Sequence, residues 1–196
     1  MATLKGTRTL TNLMGAFAGE SQARNRYSFF AQIAREEGYN RIADIFQENS
    51  DNEMAHAQLH MQMMKEGLDS ADLPHMVEIT GSFPVVYGTT EQNLQASVDG
   101  EGEEADDMYP EFAKIAAEEG FPKIAAKFRM IGEIERAHQM RFQRLLKEVE
   151  DNKVFARDEK TLWKCSICGY IAEAVSAPEK CPVCWGTKKD FDIKYV

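Results

Sequence analysis

Residues 29–56, FFAQIAREEGYNRIADIFQENSDNEMAH, return 82 positions later as EFAKIAAEEGFPKIAAKFRMIGEIERAH at 111–138, and over residues 30–56 the two copies agree at 13 of 27 positions. A duplication of this size means the fold is assembled from two like units. Each copy carries helical apolar spacing interrupted by Glu-Glu-Gly and then Tyr-Asn or Phe-Pro. Gly38 and Gly120 suit left-handed helix caps, and Pro122 suits the first turn of a following helix. Each unit is therefore predicted to be a helical hairpin.

The pattern predicts four helices over 8–37, 40–66, 91–119 and 122–149, with the Pro- and Gly-containing stretch 67–90 as a long crossover between hairpins. Neither hairpin can bury its apolar face alone, so the two pair into a four-helix bundle. A chain of 196 residues has enough length for that core and a small appendage. The composition breaks near residue 152: the first part carries 15 basic and 26 acidic side chains, the remainder 8 and 6. Domains are accordingly expected at 1–150 and 151–196.

The inner stripes of this bundle are not wholly apolar. On the last helix the stripe reads Ile124, Phe128, Ile131, Glu135, His138, Phe142 and Leu145, and on the second Ile42, Phe46, Asn49, Glu53, His56, His60 and Met63. Glu and His three apart share one helix face, one turn from each other. The first helix adds Leu13, Phe17, Glu20, Tyr27 and Ala34; the third adds Leu94, Val98, Glu101, Met108 and Phe112, with Glu104 three beyond Glu101. Glu103 should face outward, His60 is expected to be buried or half-buried near the bundle's edge, and His75 to be a solvated residue of the crossover.

One E-x-x-H is commonplace on a solvated helix. Two at the duplication offset, each on a core stripe, bring five carboxylates and two imidazoles to one level of the bundle. Burying ionised carboxylates costs several kcal/mol each unless they are compensated. Lys and Arg are nearly absent from these stripes, so metal ions should balance the charge. One Glu from each of two helices plus E-x-x-H from each of the other two is the donor set of ferritin-like di-iron or di-manganese bundles.

The duplication slips in one place. Tyr27 plus 82 is Tyr109, but Glu20 plus 82 is Gly102, and the candidate ligand Glu101 comes one residue early. A one-residue π-bulge between Glu101 and Tyr109 would keep both on the inner face. Tyr27 and Tyr109 are ordinary packing aromatics or hydroxyl donors to metal-bound carboxylates.

All four cysteines lie beyond residue 152, in WKCSICGY (163–170) and EKCPVCW (179–185), two C-x-x-C turns with twelve residues between them. In a chain that opens without a continuous apolar leader, four such cysteines argue for a reducing, cytoplasmic setting and one tetrahedral metal rather than disulfides. Zinc and iron both accept four sulfurs, so spacing does not choose. C-x-x-C-Gly-Tyr followed by C-Pro-x-C resembles a rubredoxin, with a shorter gap than free-standing members have.

Taken together, the chain resembles a rubrerythrin over essentially its whole length. The resemblance implies a mostly α fold: a ferritin-like four-helix bundle followed by a small rubredoxin-like β domain. It implies a di-iron centre held by Glu20, Glu53, Glu101, Glu104, Glu135 and His138, with Glu53 and Glu135 bridging. His56 would hold one iron when reduced and Glu104 when oxidised. Cys165, Cys168, Cys181 and Cys184 would hold a third iron. The implied reaction is reduction of hydrogen peroxide to water, as a protection against oxidative stress.

No flavin or haem is expected, because GEGEE at 100–104 lacks the strand, turn and third glycine of a dinucleotide site. Electrons would come through rubredoxin, an NAD(P)H-dependent reductase, or both. The resemblance also implies a head-to-tail homodimer. A net charge of −9 argues against nucleic acid and anionic membrane as partners, and no apolar run approaches the roughly 18 residues of a spanning helix. Rival readings are a ferroxidase or iron-storage protein, a di-manganese catalase-like protein, and a zinc-containing scaffold.

Overall fold

The computed structural model describes residues 3–193. Five helices make the first part: α1 (Arg8–Glu36), α2 (Asn40–Gly67), α3 (Thr90–Glu103), α4 (Tyr109–Glu118) and α5 (Pro122–Glu150). Between α3 and α4 runs a single π-helical segment, Glu104–Met108, so the third helix of the bundle is continuous but wound differently in its middle. That is the predicted bulge. The extra residue turns the inner face by one position, which puts Tyr109 in the core and leaves Met108 and Phe112 half-buried instead of at the predicted core positions.

The two hairpins close by the same backbone chemistry. Gly38 and Gly120 take φ of +87° and +85°, a conformation that costs a residue with a Cβ energy. The amides of Tyr39 and Phe121 then donate to the carbonyls of Ala34 and Ala116 at 2.7 and 2.8 Å, while Gly38 and Gly120 donate to Arg35 and Ala117. This 6→1 and 5→2 pairing satisfies carbonyls that a helix end leaves open. At its other end, α1 is capped twice: Thr7 Oγ1 accepts from the Leu10 amide, and the Glu119 carboxylate accepts from the amides of Arg8 and Thr9.

Two apolar clusters fill the bundle. Tyr27, Phe30, Phe46, Leu94, Phe142 and Leu145 belong to one, and Leu13, Tyr109, Ala113, Phe128 and Ile131 to the other. On every helix Glu20, Glu53, Glu101 and Glu135 fall between the two. Each fully buried Phe or Leu contributes roughly 1.5–3 kcal/mol, so the carboxylate level is clamped from both sides. Along the crossover, among the described residues, the regular structure is one short turn at Ser70–Asp72.

The second part is a three-stranded antiparallel sheet in the order β2-β1-β3, with β1 at Ala156–Cys165, β2 at Ile171–Ser176 and β3 at Phe191–Ile193. Trp163 stands at its centre, opposite Ala172 on one side and Ile193 on the other. Among the described residues, the buried members of its core cluster are Trp163, Cys165, Ala177, Cys181 and Phe191. This sheet sits at the Asn40 end of α2, where Arg41 pairs with Glu148 at 3.1 Å and Asp192 at 3.0 Å and Tyr39 stacks on Phe155 with rings 5° from parallel. No described helix is long and apolar enough to cross a membrane.

Candidate metal centres

Within the bundle the predicted donors meet in two groups. Glu20, Glu53, His56 and Glu135 form one; Glu53, Glu101, Glu135 and His138 form the other, and in each the ligand-type atoms lie within 4.8 Å of one another. Glu53 and Glu135 belong to both. His56 Nδ1 lies 3.0 Å from Glu53 Oε2 and 3.0 Å from Glu135 Oε1. His138 Nδ1 lies 3.4 Å from Glu53 Oε1 and 2.8 Å from Glu135 Oε2. Each shared carboxylate thus turns one oxygen to each imidazole, the arrangement of a carboxylate that bridges two metals.

Glu20 and Glu101 complete the two groups from the outside, and each is held by a tyrosine from another helix. Tyr27 on α1 donates its hydroxyl to Glu101 on α3, and Tyr109 on α4 donates to Glu20 on α1. Both tyrosines are buried, so their hydroxyls are hydrogen-bond donors and not merely packing rings. Glu104 opens the π segment; it is half-buried and lies outside both groups. Glu103 faces solvent as expected.

His60 is a buried histidine, as expected, and belongs to neither donor group. It is wholly buried, with Nε2 3.0 Å from the Tyr109 hydroxyl and 3.8 Å from Glu20 Oε1. The signal was present in the sequence, since His60 sits one turn beyond His56 on the same stripe; its partner on α4 was not readable there. His75 is half-buried in the crossover rather than fully solvated.

Electrostatics mark the bundle site as a cation site. Burial raises the Glu53 carboxyl well above the ordinary range, helped by the charges of Glu101, Glu135 and Glu20 against the His56 hydrogen bond. Burial likewise lifts Glu101 to about 7 and Glu104 well above its usual value among the same carboxylates. Glu20 goes the other way: burial pushes up, but the neighbouring His56 and His60 imidazoles and the Tyr109 hydroxyl bring it to about 2. Against their own burial, the carboxylates raise His56 to about 12 and His138 to about 10. Carboxylates crowded this closely repel one another's charge, and a bound cation would relieve that repulsion. Moreover Glu20 Oε2, Glu53 Oε1, Glu101 Oε2, both Glu135 oxygens and His138 Nδ1 are buried without a hydrogen bond, which leaves their lone pairs for metal ions.

The four cysteines make the second centre. Cys165 Sγ is 3.6 Å from Cys184 Sγ, and Cys168 Sγ is 3.6 Å from Cys181 Sγ. Disulfides require about 2.05 Å. A tetrahedron with metal–sulfur bonds of about 2.3 Å places sulfurs roughly 3.8 Å apart, so the spacing fits four thiolates on one ion. The two knuckles repeat each other: Gly169 donates to the Cys165 carbonyl and Trp185 to the Cys181 carbonyl, at 2.9 and 3.0 Å. Each of those residues has positive φ, +79° for Gly169 and +62° for Trp185, a rare conformation for a large side chain. Burial acts to raise the Cys181 thiol, but the backbone amides of Cys184 and Val183 prevail and bring it down to about 7. A thiol so placed gives up its proton readily to a metal.

A bundle whose inward carboxylates are shared between two imidazoles, joined to a tetrathiolate knuckle, defines a ferritin-like di-metal protein with a second, four-cysteine metal domain. The rubrerythrin family model matches residues 11–146, and that of the rubrerythrin rubredoxin-like domain matches residues 163–192. Rubrerythrin-1 of Clostridium acetobutylicum is 50% identical over 194 residues, covering 98% of this chain and 97% of its own. Rubrerythrin of Nitratidesulfovibrio vulgaris is 42% identical with the same coverage of both chains. Among solved structures, nigerythrin in its mixed-valence state superposes with a TM-score of 0.63 at 31% identity, covering 98% of this chain and 92% of that one.

The chain belongs to the rubrerythrin family. Its two donor sets fit that family's di-iron centre and its iron held by four cysteines, and the family is one of oxidoreductases of the peroxidase type.

Proposed function

We propose that this protein reduces hydrogen peroxide to two molecules of water, with electrons entering at the cysteine centre and leaving at the bundle centre. The reaction consumes two electrons and two protons per peroxide. Two iron(II) ions held by the bundle carboxylates and imidazoles would supply those two electrons. The observation that carries the reading is the pair of shared carboxylates, Glu53 and Glu135, each offering one oxygen to each imidazole, in a chain that also holds a tetrathiolate site.

In this reading Glu20, Glu53, His56, Glu101, Glu135 and His138 would hold the two irons, and Glu104 would be the alternate ligand to His56 when the oxidation state changes. Iron(III) favours the harder carboxylate and iron(II) accepts imidazole. The half-buried Glu104, placed on the π segment outside both groups, supports such an exchange. Tyr27 and Tyr109 keep Glu101 and Glu20 aimed inward, and the two aromatic clusters exclude bulk water. Cys165, Cys168, Cys181 and Cys184, in domain 151–196, would hold an iron able to pass electrons one at a time to the bundle of domain 1–150. Rubredoxin or an NAD(P)H-dependent reductase, or both, reloads it in the cytoplasm.

Within one chain the cysteine domain packs at Asn40, thirteen residues before Glu53 on the same helix, or about 20 Å along it. That separation supports a head-to-tail homodimer in which the cysteine domain of one chain serves its partner's bundle. A storage or catalase-like protein would have no use for the tetrathiolate site.

The test is anaerobic titration of the reduced, iron-loaded protein with hydrogen peroxide while the red iron(III)–thiolate absorption is followed. Prompt recolouring, with two electrons withdrawn per peroxide, is expected. Peroxide consumed with no change at the thiolate site, or oxygen evolved, would overturn the reading.

A further inference from the structure

The pseudo-twofold relation between the hairpins matches Tyr27 with Tyr109 and, across the bundle, Phe142 with His60. On one side the Phe142 ring packs against Tyr27 with centroids 5.3 Å apart, and Tyr27 donates to Glu101. On the other, the His60 ring stacks over Tyr109 at 6.0 Å, and Tyr109 donates to Glu20. The two halves of the bundle centre differ here: an apolar ring backs one tyrosine and a hydrogen-bonding ring backs the other.

Proton accounting settles the direction of that bond. Tyrosine has one hydroxyl proton, and a carboxylate that is ionised or bound to metal can only accept. Tyr109 gives its proton to Glu20, so the proton between His60 and Tyr109 must come from His60 Nε2–H. The opposite ring nitrogen, Nδ1, is buried with no hydrogen-bond partner, and the Phe128 ring packs 5.8 Å from the imidazole. His60 is therefore held in one tautomer with one bond to make.

We propose that His60 is a positioning residue for the bundle centre. By donating Nε2–H to the Tyr109 oxygen it stops the hydroxyl from rotating, strengthens that hydroxyl as a donor, and fixes the Glu20 carboxylate. The metal held by Glu20 and His56 is thereby bound more tightly than the one held by Glu101 and His138. Donors behind a ligating carboxylate typically govern metal affinity by 10–100-fold when removed. The inference rests on the reading of Glu20 as a metal ligand.

The experiment is cobalt(II) titration of the full-length metal-free protein against a competing chelator, for the wild type, H60F, H60Q, H60N, Y109F and the H60F/Y109F double variant. Circular dichroism checks folding of each. Cobalt at four thiolates has its own charge-transfer absorption, so the cysteine site is counted separately from the ligand-field bands of the bundle centre. The Gln amide nitrogen reaches where Nε2 stands, while that of Asn reaches only to Nδ1. H60F and H60N should weaken one of the two bundle equivalents about tenfold or more and shift its ligand-field spectrum, leaving the other unchanged. H60Q should restore both, and the double variant should lose no more than Y109F alone.

Wild-type affinity in H60F, loss in H60Q equal to that in H60N, or additive losses in the double variant would overturn the proposal. Should H60F fail to fold, the comparison of Gln with Asn decides the matter alone. A wild type that binds no cobalt in the bundle would overturn the metal reading itself, and the proposal with it.

Discussion

Tyr109 lies so close to Gly132 on α5 that a methyl group at Gly132 would meet the Tyr109 Cβ at 3.1 Å. The Tyr109 side chain approaches α5 so tightly there that a Cβ at Gly132 would push it by a few tenths of an ångström, and the hydroxyl reaches Glu20 from that position. Gly132→Ala should destabilise the bundle by about 1–3 kcal/mol through overpacking. It should also loosen the metal position next to Glu20, because Tyr109 must shift. Urea denaturation of the metal-free protein checks the first effect, and chelator competition the second.

Tyr27→Phe removes the hydroxyl that serves Glu101 and keeps the ring that packs against Phe30, Phe46 and Phe142. Folding should change little, by about 1–3 kcal/mol at most. Affinity for one of the two bundle metals should fall by about 10–100-fold, and peroxide turnover should fall with it. Equal affinity in the variant would show that Glu101 is held by packing alone.

Cys181→Ala takes one sulfur from a domain whose core cluster has, among the described residues, five buried members, Cys181 included. So small a core does not fold without its metal. The expected result is loss of the red absorption and of order in residues beyond 156, measured by hydrogen exchange, with the helical signal of the bundle and its thermal transition retained.

Glu119, at the end of α4, accepts from the amide and hydroxyl of Thr9 at 2.8 and 2.6 Å and from the amide of Arg8 at 3.1 Å. Partial burial opposes the charged form, but the Thr9 hydrogen bonds and the Arg8 partners prevail and lower the carboxyl below its ordinary value of 4.5. A depressed pKa in the folded state adds stability above the unfolded value, and that stability is lost as pH falls through the folded one. Glu119→Ala should therefore cost about 1 kcal/mol at neutral pH, in the range of a lost helix cap, and progressively less in acid. Urea midpoints near pH 7 and pH 3 would show the two proteins converging.

Much of this architecture is legible along the chain. Repetition of Glu-Glu-Gly at the 82-residue offset marks both hairpin turns, and Gly38 and Gly120 carry the positive φ there. The early arrival of Glu101 relative to Tyr109 foretells the π segment, because only an added residue keeps both on one face. Glu53, His56, Glu135 and His138 are readable as inward donors, since spacing within one helix decides which side chains share a face. The positions of Met108 and Phe112 were misread for the same reason: a face counted at 3.6 residues per turn runs out of phase beyond the bulge.

Relations between helices are not written in any one of them. Periodicity fixes a side chain's direction around its own axis but not the rotation and sliding of one helix against another, which the packing of the two apolar clusters sets. Sequence by itself therefore determined two helical hairpins, an acidic, imidazole-bearing interior and a four-cysteine knuckle. Tertiary structure alone decided that Glu53 and Glu135 turn one oxygen to each histidine, that Tyr27 and Tyr109 cross the bundle to serve Glu101 and Glu20, and that His60 stands behind Tyr109. Those contacts join residues 74, 89 and 49 positions apart, and only the closed core brings such distant groups within the few ångströms over which a hydrogen bond acts.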